Sequence, residues 1–214
     1  MRIIDDLRQS VIDGEMNVTQ ELVQQALAEK MPPEQILKKG LISAMEEVGR
    51  RFECGEFFVP EMLISARAMK SGLVLLRPYL ISANVQAVGK VIIGTVQGDL
   101  HDIGKNLVGM MLEGVGFEVI DLGADVSADK YVAAVKEHRP DLVACSALLT
   151  TTMPGMKNVI HLLKEAGLRD QVMVIVGGAP VTDKYAADIG ADGFALDAAS
   201  AASLAKQLIL KKGG

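Results

Sequence analysis

Apolar positions recur at helical spacing through the first part of the chain and give way to short continuous runs beyond Lys90. Ile3, Ile4, Leu7 and Val11 mark one amphipathic helix. Leu22, Val23, Ala26 and Leu27 mark a second, for which Asn17 and Thr19 offer side-chain caps. "MPPEQ" interrupts it, and Pro33 suits the first turn of a third helix that carries Ile36, Leu37, Leu41, Met45, Val48 and Phe52 on one side. "ECGE" stops that helix. Pro60 opens a fourth, with Leu63, Ala66, Met69, Leu73 and Leu76 inward. Amphipathic helices with short joins predict a small antiparallel bundle. "LISANVQAVG" loses the period and reads as a linker.

The later runs are "KVIIGTV", "FEVIDLG", "DLVACSAL", "VMVIVGG" and "GFALD". Each precedes a helical pattern, over 103–115, 127–139, 153–167, 181–189 and 198–212. Alternating β/α units predict a parallel sheet covered on both faces. Right-handed crossovers point to a flavodoxin-like (Rossmann-type) doubly wound domain with strand order 2-1-3-4-5. The expected organisation is a four-helix bundle with its linker over 1–88 and a five-stranded α/β domain over 89–214.

Composition narrows the function. Half of the residues are apolar, aromatics are 4%, Trp is absent and there are 11 Met, so the core is aliphatic. Net charge is -5, with 10 basic and 12 acidic residues before position 89 and 12 and 15 after it. Neither part is basic, which argues against nucleic acid as a partner. No apolar run reaches membrane-spanning length, and "MRIIDDLRQS" is no signal peptide. Cys54 and Cys145 read as free thiols of a reducing cytoplasm.

Ligands of open α/β sheets sit at the carboxyl ends of the strands. Small and hydroxyl residues gather there: Gly98, Asp99, His101 and Gly104 after the first run, Ser146, Thr150 and Thr152 after the third, Gly177 and Gly178 after the fourth, Ala198 after the fifth. Glycine admits a ligand to the backbone, and Ser and Thr offer short polar arms. His101 is the candidate for chemistry. Imidazole is a common metal ligand, and a carboxylate on its second nitrogen fixes the tautomer. Asp99 can supply that carboxylate, whereas Asp102 is adjacent but points elsewhere. A single His without companions cannot hold a free Zn²⁺. It suits an axial position on a metal already held in a macrocycle. From these residues alone, a loop cap or a signalling acid cluster fits as well.

Asp99-x-His101-x-x-Gly104, Ser146-x-Leu148 and Gly177-Gly178, in that order on the first, third and fourth strands, resemble the signature of the base-off, histidine-on cobalamin-binding domain. "GDLHDIGKNLV" is similar to its form in methyl-transferring members. "RFECGEFFVPEMLISARAMKSGL" resembles the helical cap of methionine synthase and of corrinoid proteins from methyltransferase systems. The resemblance covers nearly the whole chain. It implies a cobalamin or other cobamide as cofactor, with His101 as axial cobalt ligand, Asp99 hydrogen-bonded to it, and Thr152 extending the relay. It places Gly98, Leu100, Asp102 and Leu148 beside the cofactor. Ser146, Thr150, Gly104, Gly177, Gly178 and Ala198 would receive the corrin or its displaced nucleotide tail. Phe52, Val59 and Met62 would cover the methyl-bearing face; spacing alone favours plain bundle core for them, and the motif context reverses that.

The function so implied is a corrinoid methyl carrier, not catalytic alone. It would work between a substrate-specific methyltransferase and a second methyltransferase whose acceptor is tetrahydrofolate or a thiol cofactor, with a reductive activator. Nucleic acid and membrane are not expected partners, and the cytoplasm is the expected location. A cobalamin-dependent sensor and the small subunit of a mutase are the alternatives.

Overall fold

The computed structural model describes residues 2–212. The chain forms two compact units: residues up to Ala87 together with Glu113–Gly116, and Val88–Leu112 together with the chain from Phe117 onward.

The helical unit comprises α1 (Arg2–Ile12), α2 (Met16–Ala28), α3 (Pro33–Gln35), α4 (Ser43–Glu53) and α5 (Val59–Ser82). Its interior is the aliphatic stripe read from the spacing: Leu7, Val11, Val23, Ile36, Leu41, Met45, Val48, Met69 and Leu76 are all buried. Three details differ from the sequence reading. The expected cap for α2 fails, because the helix starts at Met16 and Thr19 lies inside it, fully buried. The Thr19 hydroxyl instead shares a 3.0 Å hydrogen bond with the buried Ser10 hydroxyl. The third helix is not uniform: Ile36–Ile42 is π-helical and joins α3 to α4. Gly40 lies in this stretch, where a Cβ would stand 2.7 Å from Leu7 Cδ2, so α1 packs directly on its backbone. Finally, α5 continues to Ser82, so Leu80, Ile81 and Ser82 of the expected linker are helical. Glu61 caps its start, accepting the Phe58 N–H at 3.0 Å.

The second unit alternates β1 (Lys90–Thr95), α6 (Ile103–Gly114), β2 (Glu118–Asp121), α7 (Ala128–His138), β3 (Leu142–Ser146), α8 (Pro154–Glu165), β4 (Met173–Gly177), α9 (Asp183–Ile189), β5 (Gly193–Ala195) and α10 (Ala198–Lys212). All pairings are parallel in the order β2-β1-β3-β4-β5, as expected. Both sheet faces are covered, which is why the strands are uninterrupted apolar runs. One face seats Ile92, Val143, Cys145, Val174 and Val176 against Tyr131, Val135, Met156 and Leu163. Gly94 is needed there, since a Cβ would come within 2.6 Å of the Tyr131 hydroxyl. Burial pushes the Cys145 thiol up to about 12, which keeps it protonated and inert.

The strand register aligns the carboxyl edge of the sheet. Thr95 pairs with Ser146, Ser146 with Gly177, and Gly177 with Ala195. Four strands therefore end in one row, and their loops leave from a single line. Among the described residues no helix is long and apolar enough to cross a membrane.

Candidate cofactor site

The loop after β1 crosses the point where the chain reverses its winding, between β1 and β3. Gly98 takes φ +84° there, which glycine adopts without strain. The turn drops Asp99 beneath the loop, where it has no exposed surface.

A buried carboxylate must be paired or richly hydrogen-bonded. Asp99 Oδ1 accepts the backbone N–H of His101 at 3.1 Å and faces His101 Nδ1 at 2.7 Å. Its Oδ2 accepts the Thr152 hydroxyl at 2.7 Å and the backbone N–H groups of Leu148 at 2.8 Å and Leu149 at 3.3 Å. Burial alone would raise the pKa of this carboxyl. The bonds from Thr152, Leu148 and both groups of His101 outweigh it and hold Asp99 well below the usual carboxylate range.

An ionised Asp99 only accepts hydrogen bonds, so Nδ1 of His101 must carry the ring proton. In the neutral ring, Nε2 is then the nitrogen that carries the lone pair. The His101 side chain is 51% exposed, and among the described residues nothing bonds Nε2. The Thr95 hydroxyl donates to the His101 carbonyl at 3.0 Å and fixes the backbone behind the ring. Asp102 is exposed and makes no bond to the imidazole; its carbonyl accepts the Asn106 N–H at the start of α6.

Within the α/β unit, the other residues expected at the site are on the same edge. Ser146 ends β3, and Leu148 and Thr150 follow it, both exposed. Gly177 ends β4; Gly178 has φ +130°, and a Cβ on it would come within 1.9 Å of the Ala147 carbonyl oxygen. Gly104 has open space where a Cβ would stand. Ala198 is buried at the start of α10. In the helical unit, Phe52 is half-buried near the end of α4, Val59 is exposed at the start of α5, and Met62 is buried.

Three further residues that were not singled out from the sequence, Ile103, Leu149 and Leu196, join this edge. Ile103 is 78% exposed and Leu196 80%, beside Leu100 at 76%, and Leu149 is 43% exposed. Large aliphatics held in water at strand ends mark a surface meant to be covered. Their signal in the sequence is a large aliphatic residue lodged in the turns directly after β1, β3 and β5.

The residues fit a cobalt corrinoid. Among the described residues no group of three or more His, Cys, Asp or Glu could hold a metal ion. A metal at Nε2 must therefore bring its remaining ligands. The exposed aliphatics suit a macrocycle, and Gly104 leaves its stretch of backbone open to a tail.

Replacing Asp99 by Asn is expected to cost about 3 kcal/mol at neutral pH, because an amide N–H₂ would face donors that now meet a carboxylate. The sign with pH comes from the depressed folded pKa. Stability from Asp99 is fully present above about pH 4, the ordinary carboxyl value, and is lost as pH falls toward the folded value. Urea unfolding of both proteins between neutral pH and about pH 3 should converge on the acid side. A gap that stays constant across that range would contradict an ionised Asp99.

Comparison with known proteins agrees with this chemistry. Residues 89–204 match a family described as B12 binding domain, and residues 3–77 match a second family of the same description. A corrinoid protein of Desulfitobacterium hafniense is 42% identical over 214 residues, covering 99% of each chain. Dimethylamine corrinoid protein 3 of Methanosarcina acetivorans is 43% identical over 208 residues, 97% of each. In the crystal structure of the methanol:cobalamin methyltransferase complex MtaBC from Methanosarcina barkeri, one chain superposes with a TM-score of 0.87 at 29% identity, covering 98% of this chain and 80% of that one. With both units matched and the histidine, its carboxylate and the glycine edge in place, the chain belongs to the B12-binding corrinoid proteins of methyltransferase systems.

Proposed function

We propose that this chain is a methyl carrier that accepts the group from a substrate-specific methyltransferase and delivers it to a second methyltransferase, whose acceptor is tetrahydrofolate or a thiol cofactor. The observation that carries the reading is the Asp99–His101 pair, 2.7 Å apart, with Nε2 free on an aliphatic edge.

When bound, the corrinoid supplies the cobalt centre that takes up and releases the methyl group. The protein's share is binding and tuning. His101 would hold the cobalt through Nε2. Asp99 keeps a proton on Nδ1 and thereby orients the ring. Thr152 steadies the Asp99 charge beneath the ring through its 2.7 Å bond, so the pair would keep the imidazole aimed at the cobalt. Ser146 and Thr150 offer hydroxyls to the nucleotide tail, and Gly104, Gly177 and Gly178 keep its path clear. Phe52 and Val59 keep surface with which to shield the methyl-bearing face.

A reductive activator completes the proposed system, and the cytoplasm is its proposed place, in keeping with the free thiols of Cys54 and Cys145. The relative named for dimethylamine makes a methylated amine the first donor to try. The protein reconstituted with hydroxocobalamin, reduced and mixed with a methylamine methyltransferase and dimethylamine, is expected to show methylation of its cofactor by absorbance. Methylation with methanol and its methyltransferase instead would reassign the donor. Failure to retain any cobamide would overturn the carrier reading.

A further inference from the structure

The His101 loop is gripped from two sides. On the side toward β3, Thr152, Leu148 and Leu149 hold the Asp99 carboxylate. On the opposite side stands the loop after β2, whose contacts have no part in holding that carboxylate.

Asp125 makes two bonds around the Gly98–Asp99 peptide. Its Oδ1 accepts the Gly98 N–H at 2.7 Å, and its own N–H donates to the Asp99 carbonyl at 3.0 Å. Together they clamp the backbone directly before His101. Asp125 itself has φ +53°, a left-handed conformation that few residues other than glycine adopt. Asparagine and aspartate tolerate it best. Glycine would fit this backbone more easily but would lack the acceptor.

The clamping loop is anchored in turn. Lys105, in the first turn of α6, is 2% exposed and places Nζ 2.5 Å from Asp121 Oδ2 and 2.7 Å from Asn106 Oδ1. Asp121 Oδ1 accepts the Gly123 N–H at 2.9 Å. The Gly123 carbonyl accepts the Thr95 N–H at 3.0 Å, and the Val126 N–H donates to the Thr95 carbonyl at 2.9 Å. A buried ammonium is retained only where it is paired, and here the pair ties α6 to the base of the Asp125 loop.

We propose that Asp125, anchored through the Lys105–Asp121 pair, is a positioning residue that sets the angle at which His101 presents Nε2. Without the clamp, the Gly98 N–H and the Asp99 carbonyl lose their partners, so the turn can tilt about the remaining bond from the Asp99 N–H to the Val96 carbonyl at 3.1 Å, and the Asp99 carboxylate is steadied across the sheet from the β3 side alone. The imidazole follows Asp99 through its Nδ1 bond. This rests on His101 as the axial ligand.

The test uses the full chain, labelled with ¹⁵N-histidine and titrated with hydroxocobalamin. Asp125→Gly relieves the backbone and removes the acceptor. It is expected to weaken cobamide binding about tenfold, the usual scale for partners that orient a metal ligand. In the Co(II) state it should lose most of the ¹⁵N-histidine splitting from the electron paramagnetic resonance spectrum. Asp125→Asn keeps both the acceptor and the left-handed preference and should restore both readouts. A purely structural role predicts the reverse, with glycine harmless. Wild-type binding and splitting in Asp125→Gly would overturn the proposal, as would an Asp125→Asn variant as impaired as the glycine one. Should Asp125→Gly not fold, Lys105→Met, which releases Asp121, takes its place. It is expected to lose affinity and splitting in the same way, and wild-type values of both would overturn the proposal. A wild-type protein without histidine splitting would overturn the ligand assignment and this proposal with it, whereas splitting lost only in the variants concerns the clamp alone.

Discussion

Replacing His101 by Ala is expected to abolish nitrogen ligation to cobalt while leaving the apo fold nearly intact. The ring is 51% exposed and packs into no core, so its removal leaves no cavity. The cost to stability is limited to Asp99, which loses the Nδ1 bond but keeps those from Thr152, Leu148, Leu149 and the backbone of residue 101. One bond to a charged acceptor of that kind is worth about 1.5–3 kcal/mol. The cofactor site is affected far more, because no other histidine stands on this edge: His138 and His161 lie on α7 and α8, within the helices. The measurement is the Co(II) spectrum of protein carrying ¹⁵N-histidine. Splitting that survives in the Ala variant would mean that another histidine ligates the metal. A cobamide lacking its lower base makes the same comparison without interference from the cofactor's own nitrogen.

Gly178→Ala is the substitution expected to damage the fold most. A Cβ at this position would lie 1.9 Å from the Ala147 carbonyl oxygen, at a φ of +130°. Neither partner can yield cheaply. Ala147 is fully buried and donates its N–H to the Gly177 carbonyl at 3.2 Å, so moving it breaks the β3–β4 ladder at its end. Overpacking and a disallowed backbone together are expected to cost about 4 kcal/mol or more, a large share of a domain's stability. Gly104→Ala is the informative contrast. Nothing stands within 4 Å of its would-be Cβ, and it lies in the first turn of α6. Alanine there should stabilise the apo protein by up to about 1 kcal/mol through helix propensity, yet obstruct the cofactor. A thermal melt and a hydroxocobalamin titration on the same samples separate the two effects. Unchanged affinity in Gly104→Ala would show that the cofactor does not pass this glycine, and unchanged stability in Gly178→Ala would contradict the contact geometry.

These two glycines show how far sequence and structure reach. Both are visible in the chain as part of the family's motif, and the motif gives both to the path of the nucleotide tail. Only the structure separates them. Gly178 is required by the protein's own backbone, whereas Gly104 is free of it. The same holds for the threonines. The motif position of Thr152 implies a relay, and its hydroxyl lies 2.7 Å from Asp99. The residue type and place of Thr19 favour a helix cap, but tertiary packing against Ser10 claims its hydroxyl.

What the sequence determined by itself is whatever periodicity and local order encode. The change from helical spacing to short apolar runs decided the two architectures and the strand order, because covered parallel sheets leave few alternatives. The spacing of Asp99 and His101, two residues apart in one loop, already placed carboxylate and imidazole within reach of each other. The tertiary structure alone decided which partners complete that pair. Leu148, Leu149 and Thr152 are about fifty positions away, Asp125 more than twenty, and they meet the loop only because β1 lies between β2 and β3. The π-helical stretch at Ile36–Ile42 was equally hidden, since it accompanies the approach of Leu7 to Gly40. Contacts of this kind depend on the ends of elements being brought together by folding, and no spacing along the chain records them.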